Sequence, residues 1–260
     1  LKIGLASQFP RQHVLALRGG FGGKTLFALT GTSRPSLKAG LDPLYPHVTY
    51  IDPSSPDACE QIASAFRRYP VGVVQLELVQ AVGGIRAVPG VVLDCLRFFL
   101  HGYDCLLFVD EVQTGMHRTG PFIRSQAVGL KPDVLTIGKG TSDMMIPCAV
   151  TLHSDDVERR LRRKQCGLVD SLRTRADFDL ASRTIVNTLR WAESRDLEAV
   201  VAARGQTFAQ RLREDLSDCP NIREVRGFGL LVGIELEQQG WLQRSMRPLA
   251  LLAMLQHAKF

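Results

Sequence analysis

Short apolar runs recur along this chain, separated by amphipathic stretches and turns. His13–Leu17, Val71–Val79, Cys105–Val109, Val134–Ile137 and Cys148–Leu152 read as strands. Between them the spacing predicts helices at about Pro56–Arg68, Val91–Leu100 and Phe122–Val128. Strands alternating with helices indicate an α/β fold with a mostly parallel sheet, in which chemistry gathers at the carboxyl ends of the strands. After Asp155 the texture changes to long helices, about Phe178–Glu193 and Asp196–Leu216. The second places Leu197, Val201, Phe208, Leu212 and Leu216 on one face, a stripe that reads as core. Val225–Glu237 reads as two short strands around Gly227 and Gly229, and a last helix begins near Met246. The Ser194-Arg195-Asp196 break divides a large domain, residues 1–195, from a smaller α+β domain, residues 196–260.

Composition adds exclusions. No apolar run approaches the roughly 18–20 residues needed to cross a bilayer. The chain begins at Leu1, with no Met and no signal-peptide pattern, and is expected to be part of something longer. Six cysteines (Cys59, Cys95, Cys105, Cys148, Cys166 and Cys219) are scattered with no CxxC pair. A disulfide framework or a metal site needs tighter clustering, so a reducing, cytoplasmic setting without a metal is expected. Within the net charge of +6 the densest patch is Arg159-Arg160-Leu161-Arg162-Arg163-Lys164. Ser154 can cap a helix there, with Asp155 and Asp156 in its first turn and the cations near its end. No aromatic residue interleaves the cations, so a solvated helix is expected, not a nucleic-acid surface.

Two segments compete for the chemistry. Leu106-Leu107-Phe108-Val109-Asp110-Glu111 is an apolar strand delivering two carboxylates, the pattern of a Walker B segment. Gly19-Gly20-Phe21-Gly22-Gly23-Lys24-Thr25 looks like its Walker A partner. That loop needs GxxxxGK[ST], and Arg18 stands where the first glycine should, which argues against a nucleotide triphosphatase. The other reading begins at Gly138-Lys139-Gly140, just after Val134–Ile137. Taken alone, Lys139 is an ordinary loop lysine. Asp110 ends one expected strand and Lys139 ends another, 139 − 110 = 29 residues later, so both can open on one rim. Pyridoxal phosphate (PLP) sites need that pairing, a lysine amine for the Schiff base and a carboxylate for the pyridine nitrogen.

Asp110-Glu111-Val112-Gln113-Thr114-Gly115-Met116-His117-Arg118-Thr119-Gly120, then Gly129-Leu130-Lys131-Pro132-Asp133 and Gly138-Lys139-Gly140, resembles the signature of class III PLP aminotransferases. Phe21-Gly22-Gly23-Lys24-Thr25-Leu26, Glu77-Leu78-Val79-Gln80 with Gly83-Gly84, and Val225-Arg226-Gly227-Phe228-Gly229-Leu230 are similar to further segments of that family, in order. The resemblance implies the type I fold of PLP-dependent transferases and amino-group transfer between an amine or amino acid and an aldehyde or keto acid. It makes Lys139 the Schiff-base lysine and base, and Asp110 the partner of the pyridine nitrogen. Val112 packs under the ring, Gln113 bonds the ring hydroxyl oxygen, and Phe21 with Gly22 covers the other face. Glu77 becomes a substrate-side carboxylate. Thr174 either binds the cofactor phosphate of the neighbouring subunit in a homodimer with shared sites, or caps the helix beginning near Phe178.

Three departures stand out. Val82 replaces a glutamate, Ser142-Asp143-Met144 replaces a glycine-rich turn, and Ala176-Asp177-Phe178-Asp179 replaces Gly-Gly-Asn-Pro. The family's N-terminal phosphate-binding segment and C-terminal substrate arginine are not among these residues. Gln113 favours an aminotransferase over an aminomutase. A decarboxylase or racemase of the same fold, and a non-catalytic relative serving as a scaffold, remain alternatives.

Overall fold

β-Branched and aliphatic runs build the centre of the molecule. The computed structural model describes residues 1–41, 44–142, 145–164, 166–175 and 178–237. The strands are β1 (His13–Leu17), β2 (Val48–Ile51), β3 (Val71–Leu76), β4 (Val79–Gln80), β5 (Arg86–Ala87), β6 (Leu106–Asp110), β7 (Val134–Gly138), β8 (Ala149–His153), β9 (Ile222–Phe228) and β10 (Leu231–Leu236). The helices are α1 (Lys2–Gln8), α2 (Ala58–Arg68), α3 (Gly90–Gly102), α4 (Arg124–Ala127), α5 (Asp155–Arg163), α6 (Leu168–Arg175), α7 (Asp179–Glu193) and α8 (Leu197–Asp215).

Six strands form one sheet in the order β2-β1-β3-β6-β7-β8. The first five are parallel, and β8 runs antiparallel to β7. Successive side chains alternate between two buried faces, which is why the strands are apolar throughout. Leu15, Val74 and Leu107 join Ile62, Phe66, Val92 and Leu96 of α2 and α3 on one side. Val14, Val73 and Leu106 join Leu5 of α1 and Val157 and Leu161 of α5 on the other. Each such side chain contributes roughly 1.5–3 kcal/mol by leaving water. The chain runs from β1 outward to β2 and returns to β3 on the other side of β1, so the strand order reverses there. A crevice opens at the carboxyl ends of β1 and β3, as it does at such reversals in open α/β sheets.

The expected run Val71–Val79 divides into β3 and β4. β4 leaves the sheet to pair antiparallel with β5, because Glu77 turns to bond the loop after β1. The short elements β2, α1 and α6 have no counterpart in the expectations. α5 forms as anticipated, with Ser154 Oγ accepting from Val157 N at 3.4 Å. Arg159, Arg160 and Arg162 are ion-paired. Arg160 reaches Asp156 at 2.5 Å and Asp104 at 2.7 Å, and Arg162 reaches Glu158 at 2.6 Å. Lys164 Nζ donates to the carbonyls of Ser7 and Phe9 at the end of α1.

The stripe on α8 needs correcting. Val201, Gly205 and Ala209 are its buried residues, whereas Phe208 is half exposed. The β9–β10 hairpin presses on this face so closely that a Cβ on Gly205 would lie 2.2 Å from Gly229 O. Small residues at i, i+4 and i+8 permit that approach, and a phenylalanine does not. The helix expected near Met246, and Asp143, Met144, Ala176 and Asp177 of the two departures, lie outside the described residues.

Candidate active site

The crevice is built from three strand ends. β1 runs into the loop Gly19–Gly23, β3 ends just before Glu77, and β6 ends at Asp110. Phe21 N donates to Glu77 Oε1 at 2.7 Å, joining the first two across the crevice. Gly22 N donates to Thr32 Oγ1 at 2.8 Å. A Cβ on Gly22 would lie 2.6 Å from Gln75 Nε2, so only glycine lets the loop lie on β3. The loop then enters a 3-10 turn at Ala28–Gly31 and leaves Lys24 and Thr25 exposed. No α-helix N-terminus follows to receive a phosphate, which overturns the Walker reading.

β6 and β7 are neighbours, with Asp110 opposite Thr136, so Asp110 and Lys139 emerge from adjacent strand ends. Lys139 holds φ 53°, the left-handed region, where a lysine persists only if its surroundings fix it. Gly140 helps, because a Cβ there would lie 2.9 Å from Met116 Cβ. Val112 sits beside the lysine, its γ carbons 3.6 Å from where a Cβ on Gly138 would stand. Asp110 Oδ1 accepts from Val112 N at 3.0 Å, and among the described residues Asp110 forms no direct ion pair.

Burial dominates the electrostatics. It raises Asp110, against the opposing Val112 amide and the charges of the Leu1 amino group and Lys139. It pushes Glu77 up to about 7, with the Phe21 amide opposing and the Asp110 charge adding to the rise. It lowers Lys139, against the pull of Asp110 and Glu77. Two carboxyl groups and one amine thus share a poorly solvated rim, the setting in which catalytic groups acquire shifted pKa values.

Lys139, Asp110, Val112, Phe21, Gly22 and Glu77 are therefore brought together. Gln113 follows Val112, partly buried, and no described residue hydrogen-bonds its amide. Thr174 is not among them. It lies exposed on α6, where its Oγ1 donates to Asp170 O at 2.9 Å. It does not cap α7 either, which Phe178 precedes without a side-chain cap.

Two residues escaped the sequence reading. Gln75 is buried under the loop, its Oε1 without a partner; a glutamine inside an apolar strand was the available signal. Glu111 is fully buried, and its carboxylate accepts from Arg124 N and Ser125 N at 2.7 Å and from Thr114 Oγ1 at 2.9 Å. It fastens the start of α4 to the end of β6. Nothing in its pairing with Asp110 distinguished that task from chemistry.

A lysine and a buried, unpaired carboxylate at neighbouring ends of a parallel sheet fit the ring of pyridoxal phosphate, whose protonated nitrogen supplies the missing counter-charge. These features fit a pyridoxal phosphate site on the type I transferase fold. The chain belongs to the class III aminotransferase family, which it matches over residues 4–256. It is similar to the putrescine aminotransferase of Pectobacterium atrosepticum, 29% identical over 248 residues, covering 92% of this chain and 51% of that protein. It is likewise 29% identical over 239 residues to the acetylornithine aminotransferase of Methanothermobacter thermautotrophicus, covering 90% and 58%. The fold is that of the ornithine aminotransferase from Toxoplasma gondii, with a TM-score of 0.77 at 23% identity over 91% of this chain and 56% of that one. The chain spans about half the length of the curated relatives it matches.

Proposed function

We propose that the protein containing this chain is an aminotransferase, moving an amino group between an amine or amino-acid donor and an aldehyde or keto-acid acceptor. The observation that carries the reading is the emergence of Asp110 and Lys139 from adjacent strands around Val112. Pyridoxal phosphate, when bound, supplies an electron-withdrawing ring that stabilises negative charge at the carbon bearing the amine. Lys139 Nζ holds the cofactor covalently and, once released, takes and returns the proton of that carbon. Its lowered pKa keeps a larger share of the amine unprotonated for both tasks. The Asp110 carboxylate holds a proton on the ring nitrogen. Val112 and Phe21 exclude water from the two ring faces, and the Gln113 amide donates to the ring hydroxyl oxygen. Glu77, close to neutrality in its titration, holds a proton on the substrate side.

The assignment extends to the assembly. We place residues 1–195 in the cofactor-binding domain and 196–260 in the smaller one, with the boundary where Ser194 ends α7 and Asp196 caps α8. The active unit in this reading is a cytoplasmic homodimer in which Thr174 serves the partner's cofactor phosphate.

Borohydride reduction of the full-length protein loaded with pyridoxal phosphate, followed by digestion and mass spectrometry, tests the core of the proposal. The pyridoxyl mass is expected on the peptide carrying Lys139. Label elsewhere ends the assignment. Label on Lys139 in a protein that releases carbon dioxide or racemises its substrate, with no amino transfer, selects a different reaction on the same site.

A further inference from the structure

The β4–β5 turn, residues 81–85, holds a backbone that its own sequence does not favour. Gly84 has φ 99° and Ile85 φ 55°. A β-branched residue in the left-handed region is an outlier that its neighbours must maintain. Two contacts from the β9–β10 hairpin do so. Ile85 packs on Gly233, so tightly that a Cβ at 233 would lie 3.1 Å from Ile85 Cβ. Arg226 donates to Gly84 O from Nε at 3.1 Å and Nη2 at 2.8 Å. Its guanidinium, 13% exposed, is in turn held by Glu235 at 2.5 Å and by Glu224. Only an arginine offers enough donors in one plane to hold a carbonyl and two carboxylates together.

The other side of the same turn meets the active-site rim. A Cβ on Gly83 would lie 2.8 Å from Gly19 O. Gln80, at the root of the turn, donates from Nε2 to Arg18 O at 2.7 Å. Gly19 opens the loop that carries Phe21, whose amide bonds Glu77. The amide of Ala81, first residue of the turn, weakly favours the charged form of the Glu77 carboxylate. An unbroken series of contacts therefore runs from Arg226 to Glu77.

We propose that Arg226, together with Gly233, is a positioning residue: the C-terminal hairpin holds the 81–85 turn, and through it fixes the Gly19–Phe21 loop and Glu77. The inference takes from the proposed function only that Phe21 and Glu77 belong to the site. Lifting the hairpin is therefore expected to loosen the Phe21 amide that holds the Glu77 carboxylate.

Hydrogen–deuterium exchange on the full-length protein tests this without substrate or cofactor. Arg226→Ala is expected to speed exchange about tenfold in the 81–85 turn and also at Gly19–Gly23, the scale for losing one charge-assisted hydrogen bond. Arg226→Lys, which keeps the charge but not the fork, should fall between the two. Arg223→Ala removes a cation from the same cluster without touching the turn, and should leave both segments unchanged. If Arg226→Ala does not fold, Gly233→Ala replaces it, because the added methyl presses on Ile85 without removing a charge. A second readout is the absorbance of bound pyridoxal phosphate against pH. Its midpoint should move in the variants that free the loop, since Glu77 loses the Phe21 amide while still facing Asp110 and Lys139. Faster exchange confined to the turn, with Gly19–Gly23 and the midpoint unchanged, overturns the proposal. An equal response to Arg223→Ala overturns it as well. Loop loosening in a protein that binds no pyridoxal phosphate sinks the reading of the site and leaves the clamp standing.

Discussion

Asp110 and Glu111 are adjacent carboxylates with opposite tasks, and the backbone decides between them. Asp110 faces the crevice with one backbone donor, whereas Glu111 faces inward with three donors on its two oxygens. Asp110→Asn is expected to fold normally and lose at least about a hundredfold in turnover, equivalent to roughly two pKa units at the ring nitrogen at 1.4 kcal/mol each. Near-normal turnover would remove Asp110 from the mechanism. Glu111→Gln should be the destabilising change. An amide has one acceptor oxygen, so an NH₂ group would face a backbone N–H, at a cost of about 2–3 kcal/mol in urea denaturation. Glu77 gives a pH signature. Its folded pKa of about 7 stands above its ordinary 4.5, so the folded state binds the proton more tightly than the unfolded chain. That contribution is complete below pH 4.5 and is lost as pH rises through 7, up to about 3 kcal/mol in total. Stability of the cofactor-free protein should fall across this window, and Glu77→Gln should flatten the profile; parallel curves would refute the assignment. Asp110 and Lys139 could be placed on one rim because each follows an apolar run, whereas Glu77 lay inside the expected run Val71–Val79 and came only with the family resemblance. Gln75 and Glu111 were not legible, since a buried hydrogen-bonding task leaves no spacing pattern.

The same logic holds for whole elements. β1, β6, β7 and α7 coincide closely with their expected bounds, because their runs are apolar or periodic over enough residues to exclude alternatives. β2 was missed. Its four residues follow Pro46 and His47, and it exists because β1 offers an edge at Val14–Leu17 to pair with. α1 is seven residues long and is held by Leu5 in the core and by Lys164 at its end, information that lies far away in sequence. α8 shows a conflict between local preference and packing. Alanine exceeds glycine in helix propensity by about 1 kcal/mol, so Gly205→Ala would stabilise an isolated helix. Here the new methyl would meet Gly229 O at 2.2 Å. Overpacking of about 1–3 kcal/mol should win, lowering the melting temperature by several degrees; a rise in a thermal-shift assay would show that the hairpin yields.

At the scale of the whole molecule, the question is whether one chain makes a complete site. Thr174 is exposed on α6, its hydroxyl returned to its own helix backbone. Thr174→Ala should therefore cost under about 0.5 kcal/mol of stability, and any larger effect would have to arise in an assembly. Mixing Lys139→Ala with Thr174→Ala subunits gives the test. If sites are shared across a twofold dimer, half the random dimers carry one intact site, and activity returns to about a quarter of normal. No recovery, or a protein that stays monomeric, excludes the shared site. A sizeable void among the described residues lies away from the Lys139 rim. It has about 490 Å³ between the α7–α8 junction and the 117–122 loop, lined by His117, Phe122, Leu189 and Leu197 with Glu193 and Glu198 at its side. A fragment screen on this chain would meet that space as well as the Lys139 rim. Amines would be favoured there by the carboxylates, mimicking the donors expected at the catalytic lysine, so a binding hit identifies a substrate analogue only if it also displaces ligand from Lys139.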